Sequence, residues 1–259
     1  MAIFESYVGI DYSGAKTPSA GLPGLRIYEA GPDEEPWEVP PPSTRRRHWT
    51  REGVAAWLED RIRLGPPALI GIDHGFSFPL RYFEAHGLPL DWPSFLDDFQ
   101  RHWPTDGPIT VDDVRRGRVG DGGSRSGNSR WRRLTEVRAG GAKSVFHFDV
   151  PGSVAKSTHA GLPWLLNLRR RAKGRVHVWP FDGWEAAPGR SMLAEVYPRR
   201  WSDEYRRGDR TPDQHDAYSV AAGLRDADRR GTLGSLLDPG LTPEERRTAE
   251  VEGWILGLL

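Results

Sequence analysis

The sequence predicts an α/β domain, in which helices are layered against a sheet. Two observations carry this prediction. Strand-like and helix-like patterns alternate along the 259 residues, which is typical of α/β domains. Residues 6–12 are nearly continuous in apolar or small character, as in a strand that is covered on both faces. The length suits one large domain or one domain with insertions, and we expect residues 1–259 to form a single domain.

The first half of the chain continues with a second strand, a loop and a helix. The turn PSAGLPG leads into a predicted strand at residues 25–30. Residues 31–48 are rich in proline and acidic residues and then turn basic, which indicates a loop. A helix is predicted over residues 50–64, because Thr50 can cap it and the apolar side chains form one stripe, at Val54, Trp57, Leu58 and Ile62. The elements that follow are a strand at 68–73 and helices at 79–86 and 92–103.

Residues 115–144 have a different composition from the rest of the chain. They are rich in Gly, Ser and Arg, and their apolar periodicity is weak. This pattern indicates an insertion or a mobile loop.

The second half of the chain alternates helices and strands again. Residues 211–229 have the clearest helical pattern of the sequence. A capping box, Thr242 with Glu245 three residues later, opens a closing helix predicted over residues 242–256. The other predicted elements are a helix at 160–171 and strands at 175–180 and 192–197.

The composition excludes several classes of protein. The 36 basic and 36 acidic residues balance to zero, which argues against a uniformly basic nucleic-acid binder but leaves a local basic face open. The absence of Cys excludes disulfides, thiolate metal sites and Cys nucleophiles. The N-terminus lacks the pattern of a signal peptide, and no apolar run approaches the roughly 20 residues of a membrane span. We therefore expect a cytoplasmic protein without a membrane partner.

Two predicted strands end on the same tripeptide, Gly-Ile-Asp. It places Asp11 at the end of the first strand and Asp73 at the end of the strand at 68–73. A lone Asp after a strand is ordinarily a turn residue or a helix N-cap, and this alternative stays open for both. In open α/β sheets, however, ligands bind beyond the carboxyl ends of the strands. The repeated ending therefore indicates two edges of one site.

Three further carboxylates belong to the candidate site. Glu195 lies in the apolar run MLAEVYP, where a buried charge requires a metal or a basic group as its partner. Asp213 and Asp216 extend the apolar stripe of the helix at 211–229 backwards by one turn, so they face the core at the helix start. Their ordinary role would be a favourable interaction with the helix N-terminus, which fits Asp213 better than Asp216.

Carboxylates that converge on one place repel one another unless a cation lies between them. The ordinary solution is one or two hard divalent cations with oxygen ligands, such as Mg²⁺ or Mn²⁺. Two such ions, about 3.5–4 Å apart, stabilise the attacking and leaving oxygens during cleavage of a phosphodiester. We therefore expect a Mg²⁺ or Mn²⁺ site built from five carboxylates, Asp11, Asp73, Glu195, Asp213 and Asp216.

The order of these acids resembles that of the ribonuclease-H-like superfamily, especially its Holliday-junction resolvase branch. An Asp on the first strand is followed by an acid on a later strand and then by a helix with Asp-x-x-Asp-Ala. More closely, the chain is similar to the predicted nucleases called domain of unknown function 429. The similar runs span nearly the whole chain, namely GIDYSGA, IGIDHGFSFP, GSVAKSTHAGLPWLLNLR, VHVWPFDGWE, AEVYPRRW, DQHDAYSVAAGL and EGWILGLL.

The resemblance implies a mixed sheet with helices on both faces and a metal-dependent nuclease that acts on DNA or RNA. It makes Asp11 the first-strand ligand and Asp73 a second strand-end acid. Glu195 and the pair Asp213 and Asp216 complete the implied catalytic set.

Two further side chains lie next to the strand-end acids. Lys16 follows DYSGA and either contacts a phosphate or is simply solvated. His74 follows Asp73 and either orients a water, acts as a general base, or packs locally.

Two other functions stay open. One is a non-catalytic binding protein of ribonuclease-H-like fold, which would be supported by carboxylates that fail to converge or by a Lys or Arg side chain in the metal position. The other is a phosphotransferase of the actin and sugar-kinase type, whose nucleotide loop also follows a first-strand Asp but whose architecture usually needs a longer chain. The tryptophan-rich surface and the terminal WILGLL leave room for a homodimer.

Overall fold

The computed structural model describes residues 2–42, 47–150 and 152–259. The strands of this part of the chain are β1 Ser6–Asp11, β2 Arg26–Ala30, β3 Trp37–Glu38, β4 Ala68–Ile72, β5 Val176–Val178 and β6 Ser191–Glu195. They form one six-stranded sheet with the order β3-β2-β1-β4-β6-β5. β2 is antiparallel to both of its neighbours, whereas β1, β4, β6 and β5 run parallel to one another.

The helices of the described residues are α1 Arg51–Leu64, α2 Leu80–His86, α3 Trp92–His102, α4 Val111–Arg115, α5 Leu134–Arg138, α6 Ala155–Arg171, α7 Pro212–Arg229, α8 Leu233–Leu237 and α9 Pro243–Glu252. Two predicted caps are confirmed. The hydroxyl of Thr50 accepts a hydrogen bond from the main-chain N–H of Gly53 at the start of α1. Thr242 and Glu245 form the capping box of α9. The predicted α/β domain with a mixed sheet is confirmed as well. None of the helices described here has the combined length and apolar character that a membrane crossing needs.

Successive side chains of a strand point to opposite faces of the sheet, and helices cover both of these faces. On one face, Ile10 and Ile72 pack in a core with Leu58 of α1 and Leu165 of α6. On the other face, α7 packs directly against β1 and β4. The carboxyl ends of β1, β4 and β6 meet at one edge of the sheet, where the main-chain N–H of Asp73 bonds to the carbonyl of Ile10 at 3.0 Å.

Two glycines let α7 approach the strands closely. Gly9 of β1 and Gly71 of β4 are cross-strand partners. A Cβ atom on Gly9 would lie 2.1 Å from the carbonyl oxygen of Ala217, and one on Gly71 would lie 2.8 Å from a methyl of Val220. These strands therefore present backbone to the helix, and the first turns of α7 reach the edge where β1 ends.

Several elements differ from the sequence prediction. The predicted loop at 31–48 contains β3, a two-residue edge strand, and residues 43–46 of that loop lie outside the described residues. α6 begins at Ala155 rather than at residue 160. α9 ends at Glu252 because Gly253 adopts a φ of 80°. Ile255 then forms a parallel bridge with Glu195.

The segment at 115–144, predicted to be an insertion or a mobile loop, has a partly helical structure. It contains a short 3-10 turn, Gly122–Arg125, and the helix α5. Arg133, Thr135 and Glu136 are fully buried at the start of α5. The C-terminal part of this segment therefore contributes to the interior of the domain.

Candidate functional site

Four aspartates from three parts of the fold face one another at the carboxyl edge of the sheet. Asp11 is the last residue of β1, and Asp73 directly follows β4. Asp213 and Asp216 lie in the first turns of α7. All four side chains are half-buried. The sequence-predicted convergence of these segments is therefore present in the fold.

The electrostatics of Asp11 reflect this convergence. Burial is the main cause that raises the pKa of the Asp11 carboxyl to about 9. The negative charges of three neighbouring carboxylates act in the same direction, those of Asp73, Asp213 and Asp216, and Arg26 opposes them. Without a cation, Asp11 is therefore protonated at neutral pH.

Asp73 and Asp216 show the same effect. Burial raises the pKa of Asp73 to about 8, and the charges of Asp216 and Glu195 raise it as well. The pKa of Asp216 is also raised, mainly by burial, with Asp213 acting in the same direction and His215 against it. Burial and like charges therefore favour the protonated form of Asp11, Asp73 and Asp216.

Carboxylate oxygens are the donors that hard divalent cations prefer, so the residues present fit Mg²⁺ or Mn²⁺ by donor type. Across residues 2–42, 47–150 and 152–259, however, no group of three acidic or histidine side chains has the geometry of a metal site. The aspartates interact electrostatically without forming a closed coordination shell. A bound ion would have to draw them closer together.

Glu195 has a different environment from the aspartates. It is the cross-strand partner of Ile72, so it projects towards the α1 and α6 face, whereas Gly71 beside it faces α7. Both oxygens of Glu195 accept hydrogen bonds from the Arg133 guanidinium, at 2.7 and 2.6 Å. One of them also accepts from the main-chain N–H of Phe76 at 3.1 Å. The partner required for this buried charge is thus a basic group, and the metal-binding role of Glu195 stays a prediction.

Arg133 is the residue of this region that sequence patterns missed. Its Nε donates to Glu136 at 3.0 Å, and Glu136 also accepts from the main-chain N–H of Arg133. Glu252 lies in the same network, where its carboxylate accepts from the main-chain N–H groups of Leu80 and Leu134. The Arg-x-x-Glu spacing is the only local sign of this arrangement, because the pairing with Glu195 spans 62 positions of the chain.

His74 is buried, and its environment favours the packing role. Its Nδ1 lies 2.9 Å from the carbonyl oxygen of Gly75, so Nδ1 carries the proton and Nε2 has the lone pair. Burial lowers the pKa of His74 to about 4, and its ring packs edge-on against Tyr12. Nε2 faces α6, where a Cβ on Gly161 would lie 2.4 Å from it.

The loop after Asp11 is held by one buried arginine. Arg51 donates to the carbonyl oxygens of Ser13, Ala15 and Lys16 at 3.2, 2.7 and 3.0 Å. Lys16 itself has a φ of 54° and an exposed side chain. The loop therefore holds the backbone of Lys16 in place while its ammonium group stays in solvent, and a contact with phosphate stays a prediction.

Comparisons of this chain with protein-family models, with curated proteins and with solved structures find no match. The resemblance to ribonuclease-H-like nucleases therefore stays a prediction from the residues.

Proposed function

We propose that this protein is a nuclease of ribonuclease-H-like type that hydrolyses phosphodiester bonds with the help of Mg²⁺ or Mn²⁺. The observation that carries this proposal is the mutual electrostatic effect of Asp11, Asp73 and Asp216. These carboxylates come from two strand ends and one helix; the charges of Asp73 and Asp216 raise the pKa of Asp11, and the charge of Asp216 also raises that of Asp73. Burying like charges together is costly, and a divalent cation is the ordinary group that offsets the cost.

The proposed ligands are the four aspartates, Asp11, Asp73, Asp213 and Asp216. When bound, the ion supplies a water of lowered pKa and neutralises charge on the phosphoryl oxygens. Asp11 and Asp73 would hold the ion as carboxylates, because a ligating carboxylate must be deprotonated. Lys16 is the proposed phosphate contact, since its ammonium is exposed on the loop that follows Asp11. We leave Glu195 outside the proposed ligand set because Arg133 occupies both of its oxygens.

The experiment is cleavage of end-labelled DNA and RNA, single-stranded and duplex, in Mg²⁺, in Mn²⁺ and in EDTA. We expect cleavage in the metals only, and a loss of at least about 100-fold in the variants Asp11→Asn and Asp73→Asn. Asp60→Asn, an exposed position on α1, is the matched control and keeps full activity. Cleavage that persists in EDTA or in both site variants would refute the proposal.

A second candidate function, a non-catalytic binding protein, is favoured by one observation. The guanidinium of Arg133 binds Glu195, one of the sequence-predicted metal ligands, and lines the same cleft as Asp73. A basic group on a predicted metal ligand is what we expect of a binding protein that holds no metal. In that case nucleic acid binds to the protein without cleavage, and neither Mg²⁺ nor Mn²⁺ affects the result.

A further inference from the structure

A cleft beside Asp73 opens between β6 and the segment that carries α5. Its volume is about 250 Å³. Two acidic residues, Asp73 and Glu195, line it. Its lining also includes Arg133, Lys143, Tyr197 and Arg199. A substrate whose scissile phosphate lies at the aspartates therefore has this cleft as a neighbouring space.

Apart from Asp73, a proposed metal ligand, the charged side chains of the cleft that have no ion-pair partner among the described residues are positive. The charge of Arg133 is already balanced by its ion pairs with Glu195 and Glu136. Lys143 and Arg199 are exposed, and within the described ranges neither side chain takes part in an ion pair. Two unpaired cations beside a candidate phosphodiesterase site suit the phosphates that flank the scissile one.

One tyrosine, Tyr197, lines the cleft together with these cations. Tyr197 is half-buried, and it follows Val196, whose main-chain N–H bonds to the carbonyl of Ile72 at 3.1 Å. The sheet thus fixes the backbone next to Tyr197. An aromatic ring beside cationic side chains is the arrangement by which proteins stack the bases of a single strand.

The size of the cleft limits what can enter it. At about 250 Å³ it lies below the roughly 300–1,000 Å³ of sites for drug-sized ligands. It has room for about one nucleotide unit whose base is unstacked from a duplex. A base that is paired and stacked inside a duplex has no free face for an aromatic side chain.

We infer that this cleft binds one unpaired nucleotide next to the scissile phosphate, so that the substrate is a single strand or an unpaired strand end. Tyr197 stacks on the base, and Lys143 and Arg199 contact the flanking phosphates. The inference rests on the proposed nuclease function for the position of the scissile phosphate.

The test measures the binding of a fluorescent single-stranded oligonucleotide and of the matching blunt duplex by anisotropy, at pH 7 in EDTA and again in Ca²⁺. Tyr197→Leu removes the ring and keeps an apolar side chain, and we expect it to weaken single-strand binding about 5- to 150-fold. Lys143→Ala and Arg199→Ala should each reduce the slope of log affinity against log salt by about 0.7. Lys173→Ala, an exposed lysine of a different cleft, is the matched control and leaves both the affinity and the slope unchanged. Thermal unfolding checks that each variant is folded.

The outcomes separate this inference from the nuclease proposal. Single-strand affinity that is unchanged in Tyr197→Leu and Lys143→Ala overturns the cleft inference, as does a wild-type protein that binds Mg²⁺ but no single strand. Tighter binding of the duplex than of the single strand overturns it as well. Strand binding that depends on Tyr197 in a protein without metal binding or cleavage overturns the nuclease and leaves the binding-protein candidate.

Discussion

Replacing Asp11 by Asn should stabilise the metal-free protein at neutral pH, although Asp11 is a proposed metal ligand. The pKa of this carboxyl rises from 3.8 to about 9 on folding. Between these values the folded state holds a proton that the unfolded state has released, so the free energy of unfolding falls as the pH rises through this window. At pH 7, about three units above the ordinary pKa, the penalty is at most about 4 kcal/mol, because each unit is worth about 1.36 kcal/mol.

Asn resembles the protonated carboxyl in shape and removes this penalty. The assay is urea denaturation in EDTA at pH 5 and pH 7, with Asp60→Asn of α1 as the matched control. We expect Asp11→Asn to be more stable than the wild type by up to about 4 kcal/mol at pH 7 and by about 1.5 kcal/mol at pH 5, and the control to be unchanged. A variant that is no more stable than the wild type at pH 7, or a gain that does not shrink at pH 5, would refute the reasoning about the aspartate cluster.

Three further predictions concern the ion, the glycine contact and the buried arginine. Mg²⁺ binding at pH 7 should release between about one and two protons, because the two strand-end aspartates have pKa values of about 9 and 8. Calorimetry in two buffers of different ionisation enthalpy measures the number of protons released, and a value of zero would contradict the prediction. Gly9→Ala should lower the free energy of unfolding by more than about 3 kcal/mol, since its Cβ would lie 2.1 Å from a main-chain oxygen of α7. The control Gly234→Ala, whose Cβ meets open space, should leave the stability unchanged, and equal urea midpoints for the two variants would contradict the prediction. Arg133→Met should lower the free energy of unfolding by about 3–5 kcal/mol in urea denaturation, and adding Glu195→Gln should recover part of this loss. A double variant that is less stable than Arg133→Met would contradict a stabilising role of the ion pair.

Local patterns predicted the strand ends and the long helix of the candidate site. The Gly-Ile-Asp endings placed Asp11 and Asp73 at one edge of the sheet, because parallel strands end on the same side. The apolar stripe of α7 predicted that Asp213 and Asp216 face the core at the helix start. Both signals, a repeated tripeptide and an apolar stripe, act over a few residues, so no tertiary information is needed to detect them.

Long-range contacts account for what the sequence did not predict. The start of α6 is polar in sequence, yet Thr158 and His159 are fully buried, because the Thr158 hydroxyl accepts from the main-chain N–H of Gly75 at 2.8 Å. Arg133 lies in a segment rich in Gly, Ser and Arg, and only its contact with Glu195 makes it an interior residue. Homodimer formation stays a prediction, but the terminal WILGLL no longer supports it, because Trp254, Ile255 and Leu256 are buried in the core of the chain itself.

The most direct test of the account is isothermal calorimetry of Mg²⁺ and Mn²⁺ binding to the wild type, to Asp11→Asn and to Asp216→Asn, with Asp60→Asn as the control. The account predicts binding to the wild type and the control and its loss in both site variants, since β1 and α7 would contribute ligands to one site. Binding that neither site variant affects would contradict the central claim that these aspartates together hold the ion.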